Sequence, residues 1–444
     1  MALRLTRNVR ERRTIASPVD QLESVLSVSL NNGHRAVYTR VLTRHSCTLC
    51  VWNRISRQVM TLPHEDCCMK IVADENMPAL ALFAPLGEVI PRAGRGLTQA
   101  DLTDAGVLLV RSVTRVDAAL LAETPVRFVG SATIGTDHVD LPWLAAAGIW
   151  FAHAPGCNAM AVAEYVLQVV LDWACEQGRS LANLSVGVVG VGNAGGRVAH
   201  LLAAAGCRVR CCDPPRAAAG DAIDGGWVSL DEALACDVVT LHVPLTGQGG
   251  HATRHLLGAS ALSTLSPDQL LINSSRGPVI DNTALLACLE SGGPAVVLDV
   301  WETEPGVPPA LFARVRRGSP HIAGYSVEGR TRGSLMVYQA LCEHLGVAPA
   351  VSSEVAPARM HWDTDITDAA DVLALLRHRW DLRGTHAALA AVVEGGDIEA
   401  GFDRLRRTFP QRHEVAGVMV QGRVAAPWQR LLVALGVVMP DMTK

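Results

Sequence analysis

Lysine is almost missing from this chain of 444 residues. Lys70 and Lys444 are the only two, so arginine carries nearly all the positive charge. We read that as a codon bias towards GC-rich triplets, not as a functional signal. No run of about 18 uncharged apolar residues occurs, which excludes an ordinary transmembrane helix. The net charge of −4 gives no reason to expect nucleic acid or an acidic membrane as a partner. The 12 cysteines lack the spacing of a disulfide framework. Several (Cys175, Cys207, Cys211, Cys288, Cys342) lie inside apolar runs and read as buried thiols. A reducing, cytoplasmic setting fits best. What is abundant is Ala, Val and Leu, within a hydrophobic fraction of 49%. At this length two or three domains with sizeable cores are expected.

Residues 1–68 stand apart. They carry a charge of +5, leaving −9 for the remainder, and four of the 12 cysteines. No helix or strand period is sustained there. The segment reads as an extension outside the fold, disordered or preceding a true start at Met69. A transit leader would also be arginine-rich, but Glu11, Asp20 and Glu23 speak against one. Cys47 and Cys50, with His64, Cys67 and Cys68, invite a zinc reading. The adjacent pair Cys67 and Cys68 chelates one metal poorly, so no metal is expected.

From Met69 a repeating βα pattern begins. Strand-like runs cover 70–73, 107–110, 127–131 and 149–152. A long apolar helix is expected over 161–175, and further strands over 238–242, 270–273 and 295–300. Strands alternating with helices imply parallel sheets covered on both faces. A Pro/Ser/Ala-rich link at 347–359 precedes a last segment, with helical patterns over 365–380 and 401–407 and a strand over 415–420.

The sharpest motif is Gly190-Val-Gly192-Asn193-Ala-Gly195. It follows the apolar run 186–189 and opens a helical pattern, 197–205. Asp213 lies 23 positions after Gly190, at the end of a second apolar run. Strand, glycine turn, helix, strand and acid form a dinucleotide-binding unit. The first glycine makes the turn, the second admits the pyrophosphate, and the third lets helix and strand pack. The helix N-terminus offers free N–H groups to the phosphates. A carboxylate at Asp213 accepts from ribose hydroxyls and repels a 2′-phosphate, which favours NAD over NADP. Arg216 nearby is the one feature pointing the other way.

Three later strand-like runs end in polar residues: Asn273-Ser-Ser-Arg276-Gly, Asp299-Val-Trp-Glu-Thr-Glu304-Pro and His321-Ile-Ala-Gly324-Tyr325. In an open parallel sheet such ends face the ligand crevice. An arginine can clamp a carboxylate there with two parallel hydrogen bonds. A histidine can exchange a hydroxyl proton near neutral pH, and a glutamate can orient it. Singly, Arg276, Glu304 and His321 each have a bland reading. Together, behind a nucleotide fold, they make a hydride-transfer site.

On these motifs, in this order and spacing, the chain resembles the D-isomer-specific 2-hydroxyacid dehydrogenase family. Seven further stretches sharpen the likeness to one subgroup: residues 69–78 (MKIVADENMP), 110–114, 130–140, 154–166, 212–216, 321–330 and 402–414. Residues 1–68 are unmatched. The resemblance implies an α/β fold with two Rossmann-like, doubly wound parallel-sheet domains and a small C-terminal α+β dimerisation domain. Residues 69–161 and 324–348 would bind substrate, 162–323 NAD, and 349–444 would form a homodimer contact. It implies Arg276, Glu304 and His321 as catalytic residues, with His321 the acid/base. Gly190, Gly192, Asn193, Gly195, Asp213, Val243, Asp299 and Gly324 would contact NAD, and Ser112, Thr133 and Tyr325 the substrate. Many members carry threonine where Val243 stands, so a side-chain hydroxyl contact is lost there. The implied reaction oxidises a phosphorylated hydroxy acid, 4-phospho-D-erythronate, at C2. Its phosphate needs donors, for which Arg111 is the first candidate and Arg330 and Arg332 are weaker ones. The alternatives are another D-2-hydroxyacid dehydrogenase, of phosphoglycerate or glyoxylate/hydroxypyruvate type, and a non-catalytic NAD-sensing protein.

Overall fold

The computed structural model describes residues 69–351 and 354–439 in full, and before them the backbone of four strands. The chain divides into two units, Met1–Cys68 and Met69–Lys444. In the first, strands Leu22–Ser29, Arg35–Thr43, Ser46–Asn53 and Gln58–Thr61 pair antiparallel in sequence order. The zinc reading rests on side chains outside the described residues.

The second unit holds two large parallel sheets, of five and six strands, and one parallel pair. The first, called the substrate side after the expectation above, has the order Glu88–Arg92, Lys70–Asp74, Ala105–Val110, Phe128–Ser131, Trp150–His153. Ile71, Val72 and Ala73 are buried in succession, as expected for a strand covered on both faces. Glu88–Arg92 escaped the sequence reading because Pro91 and two charged ends break its pattern. It pairs only with Lys70–Asp74, and an edge tolerates proline.

The nucleotide-side sheet runs Arg208–Cys212, Ser185–Val189, Val238–Leu241, Leu270–Asn273, Ala295–Leu298, Arg317–Gly318. Its first strand lies between the second and third, so the strand order reverses beside Val189. That switch point is where an open α/β sheet leaves a crevice.

Two helices join the halves. Ala159–Glu176 has 15 of its 18 residues buried, including the polar Glu164, Gln168 and Asp172, which recur every four residues on one face and bond to the C-terminal segment. It shares a core with Val186, Val188 and Ile272 of the nucleotide-side sheet. Val327–Leu345, capped by the Ser326 hydroxyl, returns to the first sheet and packs Val337, Tyr338 and Leu341 against Ile71 and Phe128.

The C-terminal segment contains helices Ala369–Arg379, Leu382–Gly395, Ile398–Arg407 and Ala426–Ala434, and the parallel pair Met360–Trp362 and Val418–Val420. Its α+β character was expected; the second and fourth helices were not. Only Trp380 and Asp381 separate Leu382 from the preceding helix, so the sequence shows no gap. The segment builds no core of its own. Val372, Leu376 and Leu431 join the core around Ala159–Glu176, while Leu389 and Phe402 join one with Trp301 and Leu298.

Candidate active site

A cleft of about 830 Å³ opens beyond the carboxyl ends of both sheets. Asn193 and Ala194 line one end of it, and just before them in the chain Gly190 adopts φ 83°, a left-handed conformation that glycine takes without penalty. A Cβ on Gly195 would sit 1.9 Å from the Gly190 carbonyl oxygen. Helix Asn193–Ala204 begins there, with Gly192 as its N-cap. Asp213 closes the turn from the second strand: its carboxylate accepts from the Val191 N–H at 2.8 Å and the Arg216 N–H at 3.2 Å. The Arg216 side chain is occupied by Asp221 and the Val191 carbonyl. Asn193 and Val243 line the cleft, as does Gly324, whose Cβ would lie 2.0 Å from the Asn158 amide nitrogen. Two cleft atoms, His242 Nδ1 and Asn158 Oδ1, are buried without a hydrogen-bond partner among the described residues. A glycine turn too tight for a Cβ at Gly190 or Gly195, an acid beside it and orphaned polar atoms along the wall fit a dinucleotide.

The three polar strand ends converge in the middle of the cleft. His321 Nδ1 lies 2.7 Å from Glu304 Oε1, which leaves Nε2 as the free ring nitrogen. Burial works to raise the Glu304 carboxyl, but His321 and Arg406 outweigh it and hold it below its ordinary value. His321 itself has φ 55°, in the left-handed region where a histidine is strained. Asp299 supports that conformation. Its carbonyl accepts from the His321 N–H at 2.7 Å, and its carboxylate accepts from Ile322, Ala323 and the Ser319 hydroxyl. Asp299 thus borders the cleft and also sets the loop that carries the histidine. Arg276 crosses from the nucleotide side, and its Nε donates to Asp137 of the substrate side at 2.7 Å. Gly135 makes room for it, since a Cβ there would fall 1.7 Å from Arg276 Nη2.

On the substrate side Ser112, Thr133, Tyr325 and Arg111 all line the cleft. The Thr133 hydroxyl donates to the Gly135 carbonyl at 2.8 Å and lies 2.7 Å from the Ser131 hydroxyl. His138, bonded to that serine, is pushed down to about 4 by burial and so is neutral. Arg111 Nε lies 3.3 Å from the buried Asp74 carboxylate. Arg330 reaches the cleft; Arg332 does not, being engaged by Glu414 and the Cys157 carbonyl. Sequence reasoning missed Asp137, Asn158, Phe402 and Arg406. The last two come from a helix 81 positions beyond Tyr325 or nearly so, with Arg406 Nη2 donating to the Tyr325 hydroxyl at 2.9 Å. Only the folded chain brings them to the crevice.

No helix among the described residues is long and apolar enough to cross a membrane, and no cluster there could hold a metal ion. Residues 163–323 match the family described as D-isomer specific 2-hydroxyacid dehydrogenase, NAD binding domain. The chain is 48% identical over 363 residues to erythronate-4-phosphate dehydrogenase of Marinobacter nauticus, covering 80% of this chain and 94% of that protein. It is 45% identical over 378 residues to the Pseudomonas aeruginosa protein of the same name, covering 83% and 99%. Among solved structures, the TT0316 protein from Thermus thermophilus superposes with a TM-score of 0.54 at 26% identity, over 64% of this chain and 99% of that one. Glycine turn, His321–Glu304 pair and overall likeness agree: the chain belongs to the erythronate-4-phosphate dehydrogenase family, within the D-isomer specific 2-hydroxyacid dehydrogenases.

Proposed function

We propose that the chain oxidises 4-phospho-D-erythronate to 2-oxo-3-hydroxy-4-phosphobutanoate with NAD, as a step of pyridoxal 5′-phosphate biosynthesis. The observation that carries this reading is the His321–Glu304 pair at 2.7 Å, in the same cleft as Arg276 and as Asn193, which follows Gly192 in the glycine turn. NAD, when bound, supplies the hydride acceptor. Gly190, Gly192, Asn193 and Gly195 would hold its pyrophosphate, Asp213 its ribose, and Val243, Asp299 and Gly324 its nicotinamide end. Arg276 would hold the substrate carboxylate chiefly through Nη2, since Nε is engaged by Asp137 and Nη1 by the Ser275 carbonyl, and draw charge from C2. His321 Nε2 would take the C2 hydroxyl proton as the hydride departs, and Glu304 would balance the imidazolium that forms. Ser112, Thr133 and Tyr325 would position the carbon chain. Arg111 is a phosphate donor in this reading, although Asp74 already offsets part of its charge.

The test is NADH formation from 4-phosphoerythronate against 3-phosphoglycerate; preference for the latter would overturn the substrate. His321→Ala should lower kcat by about 10²–10⁴-fold, the range for a lost acid/base, while NAD binding persists. An NAD-sensing protein would show no turnover to lose. A homodimer through residues 349–444 belongs to the same proposal. It is supported by Val433 and Val438, apolar side chains left 50% and 37% exposed near the end of that segment. Light scattering at monomer mass would remove it. A cytoplasmic location is part of the same reading.

A further inference from the structure

Two guanidinium groups in the cleft have no carboxylate. Arg330 and Arg406 both lie against the Tyr325 ring, at 5.8 and 5.5 Å from its centroid. Neither forms an ion pair within 4.0 Å among the described residues, and the Nε of each is buried without a hydrogen-bond partner. Their neighbours are different. Arg276 has Asp137, Arg111 has Asp74, Arg332 has Glu414 and Arg412 has Glu164. Leaving two charges half-buried and unpaired is costly, and a site built this way is completed by an anion.

We infer that Arg406, from the C-terminal segment, and Arg330 form, with the Tyr325 hydroxyl, the main subsite for the substrate's phosphate monoester, Arg111 keeping a lesser share because Asp74 already engages it. The inference rests on the reading that the substrate is a phosphorylated 2-hydroxy acid. A phosphate monoester carries roughly −1.5 to −2 at neutral pH, which two guanidiniums match in charge and fork geometry. Tyr325 accepts from Arg406 Nη2 at 2.9 Å, so its own O–H proton is free for a third bond to the anion. The donor is held firmly. Ile398, Phe402 and Leu405 pack the helix Ile398–Arg407 onto the nucleotide-side core. Asp403, beside them, pairs with Arg95 of the substrate side at 2.7 Å and so does not quench Arg406. The C-terminal segment is then part of the active site, and it selects for substrates long enough to carry a phosphate to it.

A rival role for Arg406 is to act through Glu304, whose ionised form it favours. The two roles separate on substrate length. With the full chain and NAD, Arg406→Gln should lower the ratio of kcat/KM for 4-phosphoerythronate to that for unphosphorylated D-erythronate by about ten- to a hundred-fold, the loss for a hydrogen bond to a charged group. Arg406→Lys should recover part of it. Inorganic phosphate, as a competitive inhibitor, should weaken by a similar factor. Equal loss on both substrates, or an unmoved ratio, overturns the subsite. Should Arg406→Gln fail to fold, as judged by NAD binding, Arg330→Gln carries the same ratio test. If the wild-type chain instead prefers 3-phosphoglycerate, the substrate reading falls, yet loss of phosphate inhibition in Arg406→Gln would still support the subsite. If the wild-type chain prefers 4-phosphoerythronate and the ratio is unmoved, the subsite alone falls.

Discussion

The two parallel sheets begin alike and end their first strands differently. In both, the first strand lies between the second and third, so both have a switch point and a crevice. On the nucleotide side that strand runs into Gly190-Val-Gly192, with φ 83° at Gly190 and bare backbone at the crevice. On the substrate side it ends at Asp74, buried, accepting from the Asn76 N–H at 2.8 Å and facing Arg111 at 3.3 Å. One turn leads into the N-terminus of helix Asn193–Ala204, where the proposed function puts a pyrophosphate; the other turn is closed by an ion pair. Topology therefore supplies the crevice, and the turn residues decide what enters it.

The largest way to break the contrast is to fill the glycine turn. An added methyl at Gly195→Ala must displace the Gly190 carbonyl, which it would approach to 1.9 Å. We expect the NAD dissociation constant to rise by about 100-fold, from strain and clash of about 1–3 kcal/mol with loss of the phosphate bonds. Calorimetric titration with NAD measures it. The matching control is Gly96→Ala on the substrate side, where φ is 84° but nothing lies within 4 Å. It should cost only about 1 kcal/mol of stability and leave NAD binding alone. Equal NAD affinity in the two variants would mean the cradle is not where the dinucleotide sits.

A smaller effect is expected at Asp213→Asn. The change keeps an acceptor for the Val191 N–H but removes the charge that discriminates against a 2′-phosphate. NAD affinity should fall by about tenfold, with the preference over NADP narrowing. Smaller again is Asp74→Asn, which leaves Arg111 without its counter-charge. Chemical denaturation should show a loss of about 1–3 kcal/mol with NAD affinity unchanged. A matching drop in NAD affinity would deny that the two switch points work independently.

The contrast also sorts what the sequence could reveal. Gly190, Asp213, Arg276, Glu304 and His321 were legible because each follows a strand whose apolar run marks its end. The chemistry then lies a fixed, short distance along the chain. Asp137 was not legible, since its partner Arg276 is 139 positions away. Nor was Arg406, which reads as one more basic residue in an arginine-rich amphipathic helix until packing turns it onto Tyr325. The edge strand at Glu88–Arg92 was hidden by Pro91, and the helix Leu382–Gly395 by the lack of a visible gap before it. Local periodicity carries the elements; only tertiary contact carries the meeting of distant charges.

The smallest expected effect lies in the pH dependence of stability, and it asks whether charge holds the far end of the nucleotide-side crevice as shape holds its glycine turn. Burial alone would raise the Glu304 carboxyl, yet His321 and Arg406 keep it below its ordinary value of 4.5. A group depressed in the folded state adds stability above its unfolded pKa and loses it as pH falls through the lower folded value. The wild-type chain should therefore hold a Tm advantage over Glu304→Gln at pH 6. That gap should shrink once the pH drops below about 4.5. Melting curves from pH 7 down to the acid transition measure it. Parallel curves for the two proteins would mean that Glu304 is no better stabilised as a carboxylate in the fold than in water. The 2.7 Å contact to His321 would then orient the ring without a net gain from charge.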